Sequence, residues 1–128
     1  MEGKIEQLTD SIKEQTQVFL LDAGEFYPFG STINAEGISR PLSAYSKSET
    51  PSSFELIALL EAYIKRSLQE GKYKVAAIGI DVTVKENDLS FDALEIRFFE
   101  PERTSTHYYK YIIKENRVEF DRFISSDL

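Results

Sequence analysis

The stretch Val75-Ala76-Ala77-Ile78-Gly79-Ile80-Asp81-Val82-Thr83-Val84 decides the fold class. From Ala76 to Val84 every second residue is apolar, whereas Asp81 and Thr83 occupy the alternate positions. A period of two places successive side chains on opposite faces of a sheet, so these residues are predicted to form a strand. The polar positions indicate that one face of this sheet is less apolar than the other.

The segment before this strand has helical periodicity instead. Ser52 and Glu55, three residues apart and directly after Pro51, match a capping box at a helix start. Gly71 provides a stop at the other end. An apolar stripe connects the two ends and consists of Ile57, Leu60, Ile64 and Leu68, broadened by Leu56, Leu59 and Tyr63. A stripe this wide predicts a helix that packs across a sheet face.

The N-terminal segment predicts a further helix. Its apolar residues have helical spacing over about residues 4–17. Residues 18–21 either continue this helix or begin a strand; we expect the helix to continue close to Asp22 and to end at Gly24. The helix therefore leads directly into an aromatic segment that begins at Gly24.

A hairpin is expected after this helix. Its strands are predicted over residues 26–33 and 38–45, joined by the turn 34–37, in which a glycine takes the left-handed position. Pro28 and Pro41 are disfavoured in central strands, because proline cannot donate a ladder hydrogen bond. The hairpin is therefore expected at a margin of the sheet.

Short polar turns separate the remaining alternating segments. The turns are expected at residues 86–88, 101–103 and 114–116, and the strands that they join include 94–98, 106–113 and 118–123. Successive strands joined by short turns pair antiparallel. We predict one α+β domain over residues 1–128, in the order α-β-β-α-β-β-β with an extra final strand. Its two helices are expected to pack on one face of an antiparallel sheet of five to six strands.

The other face of that sheet is expected to be polar and aromatic. Glu95 and Arg97 alternate with apolar residues of their strand, and we place Asp81 and Tyr108 on the same face. Such a face is either exposed to solvent or a binding surface. Cross-strand ion pairs are the simpler explanation for the charged residues, and a carboxylate pair for acid–base catalysis is the alternative.

Composition argues against several classes of function. The 128 residues contain no cysteine, which removes disulfides, thiolate catalysis and Cys-based zinc sites, and His107 is the only histidine. A net charge of −7 with scattered basic residues argues against nucleic-acid binding. No phosphate-binding glycine loop or dinucleotide pattern is present, so no catalytic residue, metal or cofactor is predicted. The polar N-terminus and short apolar runs predict neither a secretory signal nor a membrane segment, and hence a cytoplasmic protein.

The segment Gly24-Glu25-Phe26-Tyr27-Pro28-Phe29-Gly30 places three aromatic rings around a proline. Together with Phe19-Leu20-Leu21-Asp22-Ala23 before it, and Asp92-Ala93-Leu94-Glu95-Ile96 downstream, it resembles a family of small uncharacterised bacterial proteins. In that family a similar segment precedes a β-hairpin. The resemblance extends over roughly residues 17–113. It implies a bacterial, cytosolic protein and supplies no catalytic residue.

The candidate binding residues are Glu25, Tyr27, Asp81, Glu95, Arg97 and Tyr108. Tyrosine and arginine are typical of protein interfaces, because they give a large contact area at a low entropic cost. Each candidate also has a structural explanation. Tyrosine is a good strand former, and Glu25 is placed where a carboxylate can accept hydrogen bonds from nearby backbone amides.

These observations favour a non-enzymatic interaction domain that binds a protein partner, and the acidic charge suits a basic one. One form of this hypothesis is an inhibitor of the immunity type that opposes a basic toxin. A small-ligand-binding or carboxylate-based enzyme domain, with a pocket near residues 25–29, is the first alternative. Homodimerisation through the edge of the hairpin is the second.

Overall fold

A computed structural model describes residues 2–124; Met1 and residues 125–128, the two ends of the predicted domain, lie outside the described residues. Two helices and six strands follow one another in the predicted order. They are α1 (Glu2–Ala23), β1 (Phe29–Asn34), β2 (Ser39–Leu42), α2 (Ser53–Gln69), β3 (Tyr73–Glu86), β4 (Leu89–Glu100), β5 (Arg103–Ile113) and β6 (Val118–Phe123).

All six strands belong to one antiparallel sheet with the order β2-β1-β3-β4-β5-β6. The predicted α+β class and the extra final strand are thereby confirmed. Pro41 lies in β2, which is an edge strand, and Pro28 precedes β1. The predicted marginal position of the hairpin is also confirmed, because proline needs no inward-facing partner at these positions.

Local hydrogen bonds explain where the helices begin and end. The Oγ of Ser52 accepts a hydrogen bond of 3.1 Å from the backbone N–H of Glu55, at the start of α2. The Glu55 carboxylate does not close the capping box, because it accepts a 2.9 Å bond from the Ser46 hydroxyl instead. At the end of α1, Gly24 has a φ of +78° and its N–H donates to the Leu20 carbonyl. The helix therefore ends where the sequence predicts.

The turn between β3 and β4 contains two residues, Asn87 and Asp88, rather than the three predicted. Both have positive φ, as in the type I′ turn that suits a two-residue hairpin. The turn pairs Ile80 with Glu95 and Asp81 with Leu94. A change of one residue in turn length reverses the faces of an entire strand, so this turn determines which side chains of β4 share a face with those of β3.

The two helices lie on opposite faces of the sheet, which corrects the prediction that both pack on one face. Residues of α1 share a core with Val75 and Ala77, whereas residues of α2 share a core with Ala76 and Ile78. Neighbouring residues of a strand point to opposite faces. The central strands are apolar on both faces, and each face is therefore covered by its own helix.

Close packing of α1 on the sheet depends on a glycine in β3. A Cβ atom added at Gly79 would lie 2.9 Å from Cγ2 of Ile12 and 3.2 Å from a ring carbon of Phe29. The sheet face beneath α1 has no room for even a methyl group at this position.

Within residues 2–124 no helix is long and apolar enough to span a membrane.

Candidate functional site

An open cleft of about 520 Å³ lies between the C-terminal end of α1, the segment 24–28 and the connection from β2 to α2. Pockets that bind small molecules have volumes of about 300–1,000 Å³. The lining residues are Phe19, Asp22, Ala23, Glu25, Phe26, Tyr27, Pro28, Phe29, Ser43, Ala44, Tyr45, Ser46, Glu49, Pro51 and Leu56. The cleft lies at the place where a pocket near residues 25–29 is predicted.

The floor of the cleft is formed by aromatic residues that also belong to the core. Phe26 and Phe29 are 8% and 5% exposed, and their ring centroids lie 5.8 Å apart in an edge-to-face arrangement. Phe19 of α1 makes a second edge-to-face contact with Phe29 at 5.2 Å. Such pairs stabilise a fold by about 0.5–1.5 kcal/mol beyond the burial of their area. The two buried rings are therefore explained by folding.

The walls of the cleft contain two tyrosines that folding does not explain. Tyr27 is 64% exposed and Tyr45 is 89% exposed. Ala44, Pro51 and Leu56 also line the cleft, so the residues around these two rings are mainly apolar. Large exposed apolar groups gathered at one place, rather than scattered singly, indicate an interaction site.

The charge of the cleft has one sign. Asp22, Glu25 and Glu49 line it, and its lining contains no lysine, arginine or histidine. Within residues 2–124 none of these three carboxylates forms an ion pair. The negative potential of the cleft is therefore not neutralised by the protein itself.

Asp81 lies on the α1 face, close to the cleft floor. The Tyr111 hydroxyl donates a 2.7 Å hydrogen bond to its Oδ1. Burial raises the pKa of Asp81, while the Tyr111 hydroxyl and the nearby backbone N–H of Phe26 lower it, and the charges of Asp92 and Glu25 raise it further. Burial and the same carboxylate raise the pKa of Tyr111. Asp81 thus ties β3 to β5 beneath the aromatic segment.

Glu95 and Arg97 lie on the other face, where α2 packs, and this corrects the placement of Asp81 beside them. Arg97 donates through Nε to Glu95 and through Nη1 to Glu61 of α2, the latter at 2.8 Å. Burial alone would lower the pKa of Arg97, but the bonds to Glu95 and Glu61 raise it. The predicted cross-strand ion pairs are not what the structure shows: Arg97 pairs with Glu95 of the same strand and with a carboxylate of α2, and the second contact fixes α2 to the sheet.

Tyr108 belongs to this second group and not to the cleft. It lies opposite Glu95 on β5, and its pKa is raised by burial and then by the charge of that carboxylate. The structure therefore divides the six candidates into three places: Glu25 and Tyr27 at the cleft, Asp81 below it, and Glu95, Arg97 and Tyr108 on the α2 face. Glu25 and Tyr27 line the cleft, and the other four do not.

His107 packs on the α1 face, away from any second imidazole. Its ring lies 5.0 Å from that of Phe98 in an edge-to-face contact. Burial and then the charge of Arg122 lower the pKa of His107, which favours the neutral ring. Among residues 2–124 no group of three potential ligands could hold a metal ion.

Sequence reasoning missed Phe19 and Glu49 and did not place Tyr45 at the cleft. Tyr45 and Glu49 come from the connection between β2 and α2, and Phe19 comes from the exposed side of α1. The one available signal is that Phe19 and Asp22 directly precede the aromatic segment. No local pattern shows that a loop 20 residues further along folds over the same place.

Comparison with family models, curated proteins and solved structures gives no match.

Proposed function

We propose that this protein is a non-enzymatic interaction domain that binds a protein partner at the cleft. The main support is the pair of exposed rings, Tyr27 and Tyr45, on the walls of an opening whose floor is apolar. Tyrosines that bury a large area at low entropic cost dominate the energetics of many interfaces. The Ser46 hydroxyl in the lining does donate to a carboxylate, that of Glu55, but this bond joins the β2–α2 connection to the first turn of α2. With no histidine in the lining to act as a base at neutral pH, binding accounts for the cleft better than catalysis.

The net charge favours a basic partner, because opposite charge accelerates association and disfavours wrong partners. An inhibitor of the immunity type, acting on a basic toxin in a bacterial cytoplasm, is the specific form of the proposal. The family resemblance of the aromatic segment supports the bacterial setting, and the small acidic domain supports the inhibitory role.

A second candidate is a small-ligand-binding domain that uses the same cleft. The volume of about 520 Å³ supports it, because it lies within the range of small-molecule sites. In this case Glu25 would provide the polar anchor at the cleft wall. The two candidates differ in whether a macromolecule covers Tyr45, which projects furthest into solvent.

Photo-cross-linking at Tyr45 distinguishes these candidates. A photoreactive phenylalanine is introduced at position 45, and in a control chain at Leu89, which is 61% exposed at the start of β4. In cells of the source organism we expect one discrete adduct from position 45, absent from position 89 and lost in the Tyr27→Ala background. Peptide mass spectrometry then identifies the attached chain.

Each other outcome contradicts the proposal in a different way. An adduct formed only with a second copy of this chain would support homodimerisation. The same adducts from both positions, or none from position 45, would exclude a partner at the cleft. If position 45 gives no adduct, an increase in the melting temperature of the wild type with a fraction of small metabolites would favour the small-ligand candidate, provided that Glu25→Gln shows no such increase.

A further inference from the structure

Within residues 2–124, Tyr27 and Tyr45 lack the cationic partners that several other tyrosines have. The rings of Tyr63, Tyr73 and Tyr109 each lie within 6 Å of a lysine or arginine cation. Within residues 2–124 neither Tyr27 nor Tyr45 takes part in a hydrogen bond between side chains, an aromatic pair or a cation–π contact. Both rings therefore present free faces to a ligand.

The carboxylates of the cleft are equally free. Asp22, Glu25 and Glu49 line it without an ion pair among the described residues, although the chain contains 15 lysines and arginines. Burial raises the pKa of Asp81 beneath the floor, and the charges of Asp92 and Glu25 add to this increase. Free aromatic faces and unpaired carboxylates around one opening are complementary to a single kind of group, an organic cation.

We infer that the cleft recognises an arginine of the partner, stacked on Tyr27 and Tyr45, with its guanidinium facing the carboxylates of Asp22, Glu25 and Glu49. This inference rests on the proposed function. Arginine is favoured over lysine because its planar group stacks on aromatic rings and bonds carboxylates through two parallel N–H groups. An apolar residue of the partner, next to the arginine, packs on the floor formed by Phe26 and Phe29. A segment that contains only charged residues would leave this apolar floor uncovered and would bind more weakly.

A peptide titration followed by ¹H–¹⁵N NMR tests this inference on the full chain. The probe is acetyl-Gly-Leu-Arg-Leu-Gly-amide, and the matched control replaces arginine with citrulline, which has the same shape and no charge. We expect saturable shifts at Tyr27 and Tyr45 with the arginine peptide, and an affinity about fivefold or more weaker with citrulline. N-acetyl-argininamide is a third probe, without the flanking leucines.

Two variants with equal charge change provide the second control. Glu25→Gln removes a carboxylate of the cleft, and Glu102→Gln removes one from the exposed β4–β5 turn outside it. We expect Glu25→Gln to weaken the arginine peptide about two- to fivefold and to reduce its salt dependence, and Glu102→Gln to leave the affinity unchanged.

The outcomes separate this inference from the proposed function. Equal affinity for the arginine and citrulline peptides would overturn the recognition of a cation and leave the protein interface intact. No binding of the arginine peptide, with a discrete adduct at position 45, would do the same. Binding of N-acetyl-argininamide as tight as that of the peptide would support recognition of the guanidinium and would overturn the contact of a flanking apolar residue with the floor. Absence of both peptide binding and adduct would contradict both the inference and the proposed function.

Discussion

Two aromatic residues only two positions apart, Tyr27 and Phe29, should respond oppositely to truncation. Phe29 is 5% exposed and makes edge-to-face contacts with Phe19 and Phe26 at 5.2 and 5.8 Å. Phe29→Ala should therefore lower the free energy of unfolding by about 3–5 kcal/mol, the cost of removing a buried ring. Tyr27 is 64% exposed, and Tyr27→Ala should lower it by less than about 0.5 kcal/mol.

Urea unfolding followed by circular dichroism measures this difference. With an m-value of about 1–3 kcal/mol/M, Phe29→Ala should lower the unfolding midpoint by about 1 M or more, and Tyr27→Ala should lower it by less than about 0.5 M. If Phe29→Ala is unfolded in the absence of urea, Phe29→Leu provides a milder measurement, with an expected loss of about 1.5 kcal/mol or less. Equal losses for Tyr27→Ala and Phe29→Ala would refute the division of this segment into a buried floor and a free wall.

Three further changes test the packing and the titration of the fold. Gly79→Ala should lower the free energy of unfolding by about 1–3 kcal/mol, because its Cβ would lie 2.9 Å from Cγ2 of Ile12; an unchanged midpoint in urea would contradict the packing of α1. Thr16→Val should raise it by about 1 kcal/mol, since the buried Thr16 hydroxyl has no hydrogen-bond partner among residues 2–124; a measured loss would indicate a partner for that hydroxyl. The pKa of His107 is lowered by burial and by Arg122, so its contribution to stability is full above about pH 6.5 and is lost as pH falls through the folded-state value. Unfolding measured between about pH 7.5 and 5.5 should show this loss in the wild type and a smaller one in His107→Gln; equal pH dependence of the two chains would exclude this histidine as the source.

The sequence was sufficient to predict the order of elements and several boundaries. The capping residue Ser52 and the stop at Gly24 act through local hydrogen bonds, which depend on a few neighbouring residues. Alternation likewise predicts the strands, because the period of side-chain burial is a property of one segment. These features need no knowledge of what lies across the sheet.

Alternation within single strands does not predict which side chains of β3 and β4 lie on the same face of the sheet. A three-residue turn after β3 places Ile80 on the same face as Leu94, whereas the observed two-residue turn places Ile80 opposite Glu95. The difference of one residue in turn length places Asp81 on the face of the sheet opposite to Glu95 and Arg97. The unbroken apolar run 75–80 was the available sign that both faces of β3 are buried, and it supports a helix on each.

The cleft was only half predictable for a related reason. Glu25 and Tyr27 belong to a segment whose distinctive composition can be recognised in the sequence. Tyr45 and Glu49 reach the same opening through the path of a loop, which depends on where the edge strand β2 ends and where α2 begins. Such tertiary placement has no local sequence signal.

The central claim is that the cleft binds a protein partner through Tyr27 and Tyr45. Calorimetric titration of the partner identified by cross-linking, with the wild type and with the double variant Tyr27→Ala/Tyr45→Ala, tests it most directly. Two aromatic contacts at an interface predict an affinity lower by about 100-fold, which corresponds to about 2.7 kcal/mol. The unfolding midpoint of the double variant should stay close to that of the wild type, since both rings are exposed. An unchanged affinity in a folded double variant would contradict the claim.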